Sequence, residues 1–237
     1  MLKIALVGQK GGAGKSTICW ALANAALARS EKTKVLLVEA DPQGSTEAYV
    51  AKALARHPSI ADRLGVVRIE EGDDLSDILD EAVSQGFDFT LIDTQGSHGP
   101  MPRNAMVLAD RIIIPLRPVE HEYESQMATL ATYEALKESL ENEGEKIGIC
   151  GLLLNDFRTN DTMNLEEKRV LEVILDNPYT LGFYLSKRKG FKALSSGWVL
   201  HLELEAATKP TDTFIRRGFE GDLGEAKNVL SAIEGMK

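Results

Sequence analysis

The sequence predicts a doubly wound α/β fold, a mainly parallel sheet with helices on both faces. Short β-branched runs alternate with longer helical stretches along the chain, the order that covers a parallel sheet on both sides. Polar and glycine-rich clusters follow the apolar runs at 8–16, 39–44, 93–99 and 155–158. In an open parallel sheet the carboxyl ends of the strands line the ligand crevice, so three of these clusters are expected to form one site. No repeat, low-complexity stretch or convincing linker interrupts the 237 residues, which predicts a single domain over residues 1–237.

In chain order, Leu2 to Val7 is a brief apolar run that leads into glycines without a small-residue cleavage site, and it reads as a buried strand rather than an export signal. Further strands are expected at Lys34 to Glu39, Gly65 to Ile69, Phe89 to Asp93, Arg111 to Leu116 and Ile147 to Leu154, with a weaker one at Thr180 to Tyr184. Helices are expected at Lys15 to Arg29, Ser45 to Arg56, Leu75 to Ser84, Glu122 to Glu141 and Leu165 to Leu175. Two more are expected near Gly190 to Ser196 and Thr211 to Ile233.

Composition narrows the function. No run of about 18 apolar residues exists, so no transmembrane span is expected. Cys19 and Cys150 sit in apolar surroundings, and no metal-ligand spacing joins them to a histidine; they read as reduced core thiols of a cytosolic protein. The net charge of −9 makes most of the surface repel nucleic acid. Phe183 to Glu220 is the exception, with seven basic against four acidic side chains. Lys187, Arg188, Lys189 and Lys192, with Arg216 and Arg217, read as a basic stripe or as solvated helix faces.

The most specific signal is Lys10-Gly11-Gly12-Ala13-Gly14-Lys15-Ser16-Thr17, between a strand and a helix. Glycines let the backbone approach an anion, successive N–H groups point at it, and a helix N-terminus adds its dipole. Such a loop binds ATP with magnesium, Lys15 reaching the β/γ-phosphates and the Ser16 hydroxyl ligating the metal. Gln9 breaks the general phosphate-loop pattern, and the match is to the narrower K-G-G-x-G-K-[ST]-[ST]. Val35 to Gly44 ends in Glu39-Ala40-Asp41-Pro42-Gln43-Gly44, and Phe89 to Thr94 is an apolar strand ending in Asp93-Thr94. The strand-end acid Asp93 suits a magnesium-bound water. Asp41 alternatively reads as a cap of the following helix. His98 and His121 read as surface or turn residues, because phosphoryl transfer here needs no histidine.

On these residues the chain resembles the deviant Walker A group of P-loop ATPases, and within it the ParA-type partition proteins of the MinD/ParA superfamily. The resemblance covers about residues 1 to 200. It implies that Lys10 crosses a dimer interface to the partner's phosphates and that Asp41 positions the attacking water near the magnesium shell. Glu39 stands where the family has an aspartate, and its side chain is long enough to reach a magnesium-bound water. Ala109 to Leu116 matches a further family strand. Asn155 matches an asparagine that contacts adenine, with a strand-end turn as the other reading.

The resemblance also implies an ATP-dependent homodimer that binds nonspecific DNA through the basic stripe. A centromere-binding ParB-type partner stimulates hydrolysis, and the protein is cytoplasmic and associated with the nucleoid. A MinD-like membrane ATPase would need a basic amphipathic C-terminal helix. Leu223, Ala226, Leu230 and Ile233 instead form a short stripe flanked by acids, expected to dock on the body. An iron–sulfur reductase would need bridging cysteines in the switch loops, which Cys19 and Cys150 do not supply. With the loop beginning at residue 10, no helix-turn-helix segment is expected before it. A relative that positions another cargo would carry the same ATPase residues.

Overall fold

A computed structural model describes residues 1–9, 11–42, 44–97, 99–157, 163–187, 191, 194–208 and 213–237, the side chains of 214 and 215 excepted. Seven strands form one sheet: β1 (Leu2–Leu6), β2 (Val35–Ala40), β3 (Leu64–Arg68), β4 (Phe89–Thr94), β5 (Arg111–Leu116), β6 (Ile149–Phe157) and β7 (Thr180–Ser186). Their order is β3-β2-β4-β1-β5-β6-β7, and every described pairing is parallel. The helices are α1 (Lys15–Leu27), α2 (Ser45–Arg56), α3 (Leu75–Ser84), α4 (Pro100–Leu108), α5 (Glu120–Asn142), α6 (Leu165–Asp176), α7 (Leu200–Ala206) and α8 (Thr213–Glu234). All seven expected strands are present. The helices α4 and α7 are additions to the sequence reading, and the expected helix near 190–196 lies partly outside the described residues, which contain a 3₁₀ turn at Leu194–Ser196.

Alternate residues of each central strand enter different cores. Ile4 and Leu6 of β1, with Val35 and Leu37 of β2, face α1, α2, α7 and α8. Ala5 and Val7, with Leu36 and Val38, face the side covered by α3, α4, α5 and α6. A strand buried on both faces needs apolar residues at every position, which is why these runs stand out in sequence. The stripe Leu223, Ala226, Leu230 and Ile233 of α8 is buried against the core that contains α1.

From β1 the chain moves to one side for β2, β3 and β4 and to the other for β5, β6 and β7. That reversal puts a topological switch point beside β1, where the carboxyl ends of strands open a crevice. The register pairs Leu6 of β1 with Asp93 of β4, and Glu39 of β2 with the same Asp93.

Candidate functional site

Between β1 and α1 the chain makes a turn that side-chain-bearing residues adopt poorly. Gly12 and Gly14 have φ of 85° and 91°, and Gly14 is the residue from which α1 begins. A Cβ on Gly14 would stand 2.2 Å from Nδ2 of Asn155, whose amide donates a 2.9 Å hydrogen bond to the Ala13 carbonyl. Glycine therefore supplies both the left-handed conformation and the space for a β6 side chain to brace the loop.

Beneath the loop, Lys15 is only 6% exposed although it carries a charge. Burial lowers its pKa, and the nearby carboxylates of Asp93 and Asp41 counter the shift. Asp93 is fully buried at the end of β4. One of its oxygens, Oδ2, accepts a 2.6 Å hydrogen bond from Thr46 Oγ1, while Oδ1 is buried without a hydrogen-bond partner. Burial raises the Asp93 pKa against the opposing effects of Ser16, Thr46 and Lys15. The orphaned Oδ1 is the observation that tests a magnesium site. An unpaired buried carboxylate oxygen is costly and is satisfied by a cation or its bound water. Among the described residues no cluster of three acids, cysteines or histidines forms a cage. Magnesium keeps several waters and needs few protein ligands, so one hydroxyl and one carboxylate suit it. The residues present fit the ion.

The Glu39 carboxylate turns to the backbone: Oε2 accepts from Thr46 N at 2.6 Å and Glu47 N at 3.4 Å, and Oε1 from Asp41 N at 3.1 Å. Gly44, the N-cap of α2, has no side chain to offer, so the end of β2 caps the helix instead. Burial and the Asp93 charge raise the Glu39 pKa. Asp41 stands half-buried, close enough to Lys15 to attract it.

Beside the loop lies a cavity of about 170 Å³ lined by Gly12, Gly14, Thr17, Arg117, Asn155, Asp156, Ser186 and Phe191. Asp156 has φ of 52°, a left-handed conformation that aspartate tolerates better than most residues. It stands between Arg117 at 3.8 Å and Lys187 at 3.4 Å, and Arg117 is held bidentately by the buried Glu122. Sequence reading did not single out Arg117, Asp156 or Thr46. Only the D that follows Asn155 and the break after β5 mark the first two, and nothing local marks Thr46.

A model of the VirC1 protein family matches residues 1–236. The chain belongs to this family. It is a ParA-type member of the MinD/ParA superfamily of P-loop ATPases. The chain is 27% identical to protein virC1 of Rhizobium radiobacter, over 88% of its own length and 87% of that protein's. It is 29% identical to the chromosome-partitioning ATPase Soj of Thermus thermophilus, over 66% of this chain and 71% of that one. The fold matches the ATP complex of a Cyanothece McdA variant with a TM-score of 0.65 at 18% identity, over 100% and 97% of the two chains.

Of the sequence-predicted residues, the fold of this VirC1-family chain brings Gly11, Gly12, Ala13, Gly14, Lys15, Ser16, Thr17, Asp41, Asp93 and Asn155 to the crevice beside β1. Lys10 lies outside the described residues, as do Gln43, His98, Arg188, Lys189 and Lys192. Lys187 is paired with the cavity-lining Asp156, which reduces the positive charge it offers to a stripe. Arg216 is exposed on α8, donating to the Ala207 carbonyl at 3.0 Å and 3.8 Å from Glu220, and Arg217 is exposed beside it. His121 is exposed, as expected of a surface residue.

Proposed function

We propose that this protein is a magnesium- and ATP-dependent dimerising ATPase of DNA partition. It binds nonspecific DNA in its ATP state and releases it after hydrolysis stimulated by a ParB-type partner. The observation that carries the reading is the buried pair of Lys15 and Asp93 beneath the glycine loop. A buried cation beside a buried carboxylate with an orphaned oxygen suits a triphosphate and its metal.

In this reading the loop N–H groups and Lys15 hold the β- and γ-phosphates, and Ser16 and Asp93 hold magnesium, Asp93 through a water. The ion would add positive charge where negative charge develops on the transferring phosphoryl group. Asp41 orients a water for in-line attack, and Lys10 supplies a second cation across the dimer, as an arginine finger does. Thr46 sets the position of Asp93, and Glu39 fixes the first turn of α2. Asn155 and the cavity beside it receive the base. The single domain, residues 1–237, works as a pair on the nucleoid in the cytoplasm, with DNA against Arg216, Arg217, Lys187 and the neighbouring Arg188, Lys189 and Lys192.

A membrane-bound, MinD-like role is less well supported. The apolar stripe of α8 is buried in the core, and among the described residues no helix is long and apolar enough to cross a membrane. The deciding experiment compares retention of the protein on random-sequence duplex DNA and on anionic liposomes, with ATP or ADP and magnesium. The reading expects DNA retention with ATP alone. Retention on liposomes and not on DNA overturns it.

A further inference from the structure

The two ends of α2 meet different surroundings. Its first turn is fastened to the nucleotide site, through Glu39 to the Thr46 and Glu47 amides and through Thr46 to Asp93. Its second half, about 10 Å further along the axis at 1.5 Å per residue, exposes Lys52 and Arg56. An open groove of about 410 Å³ there is lined by Lys52, Ala55, Arg56 and Ser196.

The groove is built rather than incidental. Lys52 Nζ donates 3.0 Å to the Ser195 carbonyl. Gly197, at φ 74°, lies so close that a Cβ there would stand 2.5 Å from Lys52 Cβ and 2.7 Å from the Ala53 nitrogen. Trp198 follows, with the Arg56 guanidinium 5.6 Å from its ring centroid. The indole also packs against Phe219 of α8 in an edge arrangement, with centroids 4.7 Å apart. Phe219 stands three residues after Arg216 and two after Arg217. One indole thus joins the cation-bearing half of α2 to the arginine-bearing start of α8. Glu203 offsets Arg56 in part, at 3.8 Å, and is itself shared with His57 at 3.1 Å.

We propose that Lys52 and Arg56 contact nucleic-acid phosphates, so that the DNA surface extends from α8 across Trp198 onto α2. The proposal rests on the DNA-binding reading above. Two cations beside the small side chains of Ala55 and Ser196 suit backbone phosphates, which makes the contact independent of sequence. A lipid surface fits less well, because no large apolar side chain of α2 is exposed beside them. Since the first turn of the same helix is fastened to Asp93 and Glu39, a shift of that turn on nucleotide exchange would move these cations with it.

The test is the Lys52→Gln/Arg56→Gln variant of the full chain beside Arg217→Gln and the unaltered protein. Binding to fluorescent random-sequence duplex is measured with ATP and magnesium over a salt series. ATP turnover should match the unaltered protein, since neither side chain enters the nucleotide site. The variant should stay folded with a modestly lower melting temperature, from loss of the Ser195, Trp198 and Glu203 contacts. The double variant should bind roughly tenfold or more weakly at moderate salt. Its log–log salt slope should shrink by about 1 for each cation withdrawn from a phosphate, and Lys52→Arg should keep the slope. If the double variant keeps the affinity and slope of the unaltered protein while Arg217→Gln loses them, DNA is confined to α8 and the extension is wrong. If the unaltered protein itself ignores DNA, the function proposed above fails first. If anionic vesicles retain it through Lys52 and Arg56 and DNA does not, the partner is a membrane and the assignment to DNA is overturned.

Discussion

Thr46, the second residue of α2, donates its hydroxyl to Asp93 at the end of β4 across 2.6 Å, with both side chains fully buried. The bond fixes which carboxylate oxygen remains available beneath the glycine loop. Thr46→Val keeps the shape and removes the donor to Asp93 Oδ2. Denaturant unfolding should show a loss of about 1–3 kcal/mol, and magnesium should be needed at higher concentration for nucleotide hydrolysis. An unchanged unfolding midpoint together with an unchanged magnesium requirement would refute the assigned role.

Burial raises the pKa values of Asp93 and Glu39, so both carboxyl groups are easier to ionise in the unfolded chain. The folded state therefore takes up protons first as pH falls, and by linkage these two groups favour folding increasingly as pH drops through their raised values. The gain is complete near the ordinary carboxylate range of about 4. Above the raised values both charges work against the nucleotide-free fold. Asp93→Asn should accordingly raise the melting temperature of the nucleotide-free protein near neutral pH, and the advantage over the unaltered protein should shrink as pH falls. The same variant should lose magnesium-dependent hydrolysis. A melting temperature lowered equally at every pH would show that the Thr46 bond, and not the buried charge, dominates at this position.

Gly14→Ala meets two obstacles, a φ of 91° and the Asn155 amide 2.2 Å from the new carbon. Strain at such a position costs about 1–3 kcal/mol, and titration with a fluorescent ATP analogue should show binding weakened at least tenfold. Asn155→Ala removes the brace on the Ala13 carbonyl and should weaken binding less. In the double variant the clash is gone but the backbone strain persists, so the two losses should be less than additive. Strict additivity would mean that Asn155 and Gly14 act independently.

Asp41 stands half-buried near enough to Lys15 for their charges to attract, with its backbone N–H held by Glu39. Asp41→Ala should still bind ATP but lose hydrolysis by a factor of about 100 or more, in line with removal of a group that positions the nucleophile. Light scattering should then find a dimer that persists with ATP. Lys10→Ala should bind ATP and fail to form that dimer or to hydrolyse the nucleotide. A monomeric Asp41→Ala protein at saturating ATP would remove the shared-site model.

The strands were legible because a sheet covered on both faces demands apolar residues at successive positions. Lys10 to Thr17 was legible because glycine conformations and a helix start are local properties. The helix α4 is harder to see, since Pro100 and Pro102 resemble a loop until they are placed in its first turn, where a missing N–H costs little. Leu200, Leu202 and Leu204 of α7 alternate with His201 and Glu203, a period that does not announce a helix.

Sequence by itself thus determined the sheet, the loop and the acids that end β2 and β4, all readable within windows of about ten residues. Tertiary structure alone decided what those acids do. Glu39 occupies a position that suggests metal chemistry, yet it caps α2, because Gly44 has no side chain to satisfy the helix amides. Thr46 becomes the partner of Asp93 only when β2 and β4 lie side by side, and Asp156 meets Arg117 and Lys187 only where β5, β6 and β7 end together. These are choices among hydrogen-bond and charge partners distant in sequence. Residue type says that a buried carboxylate must find a partner; the packing of the sheet says which one.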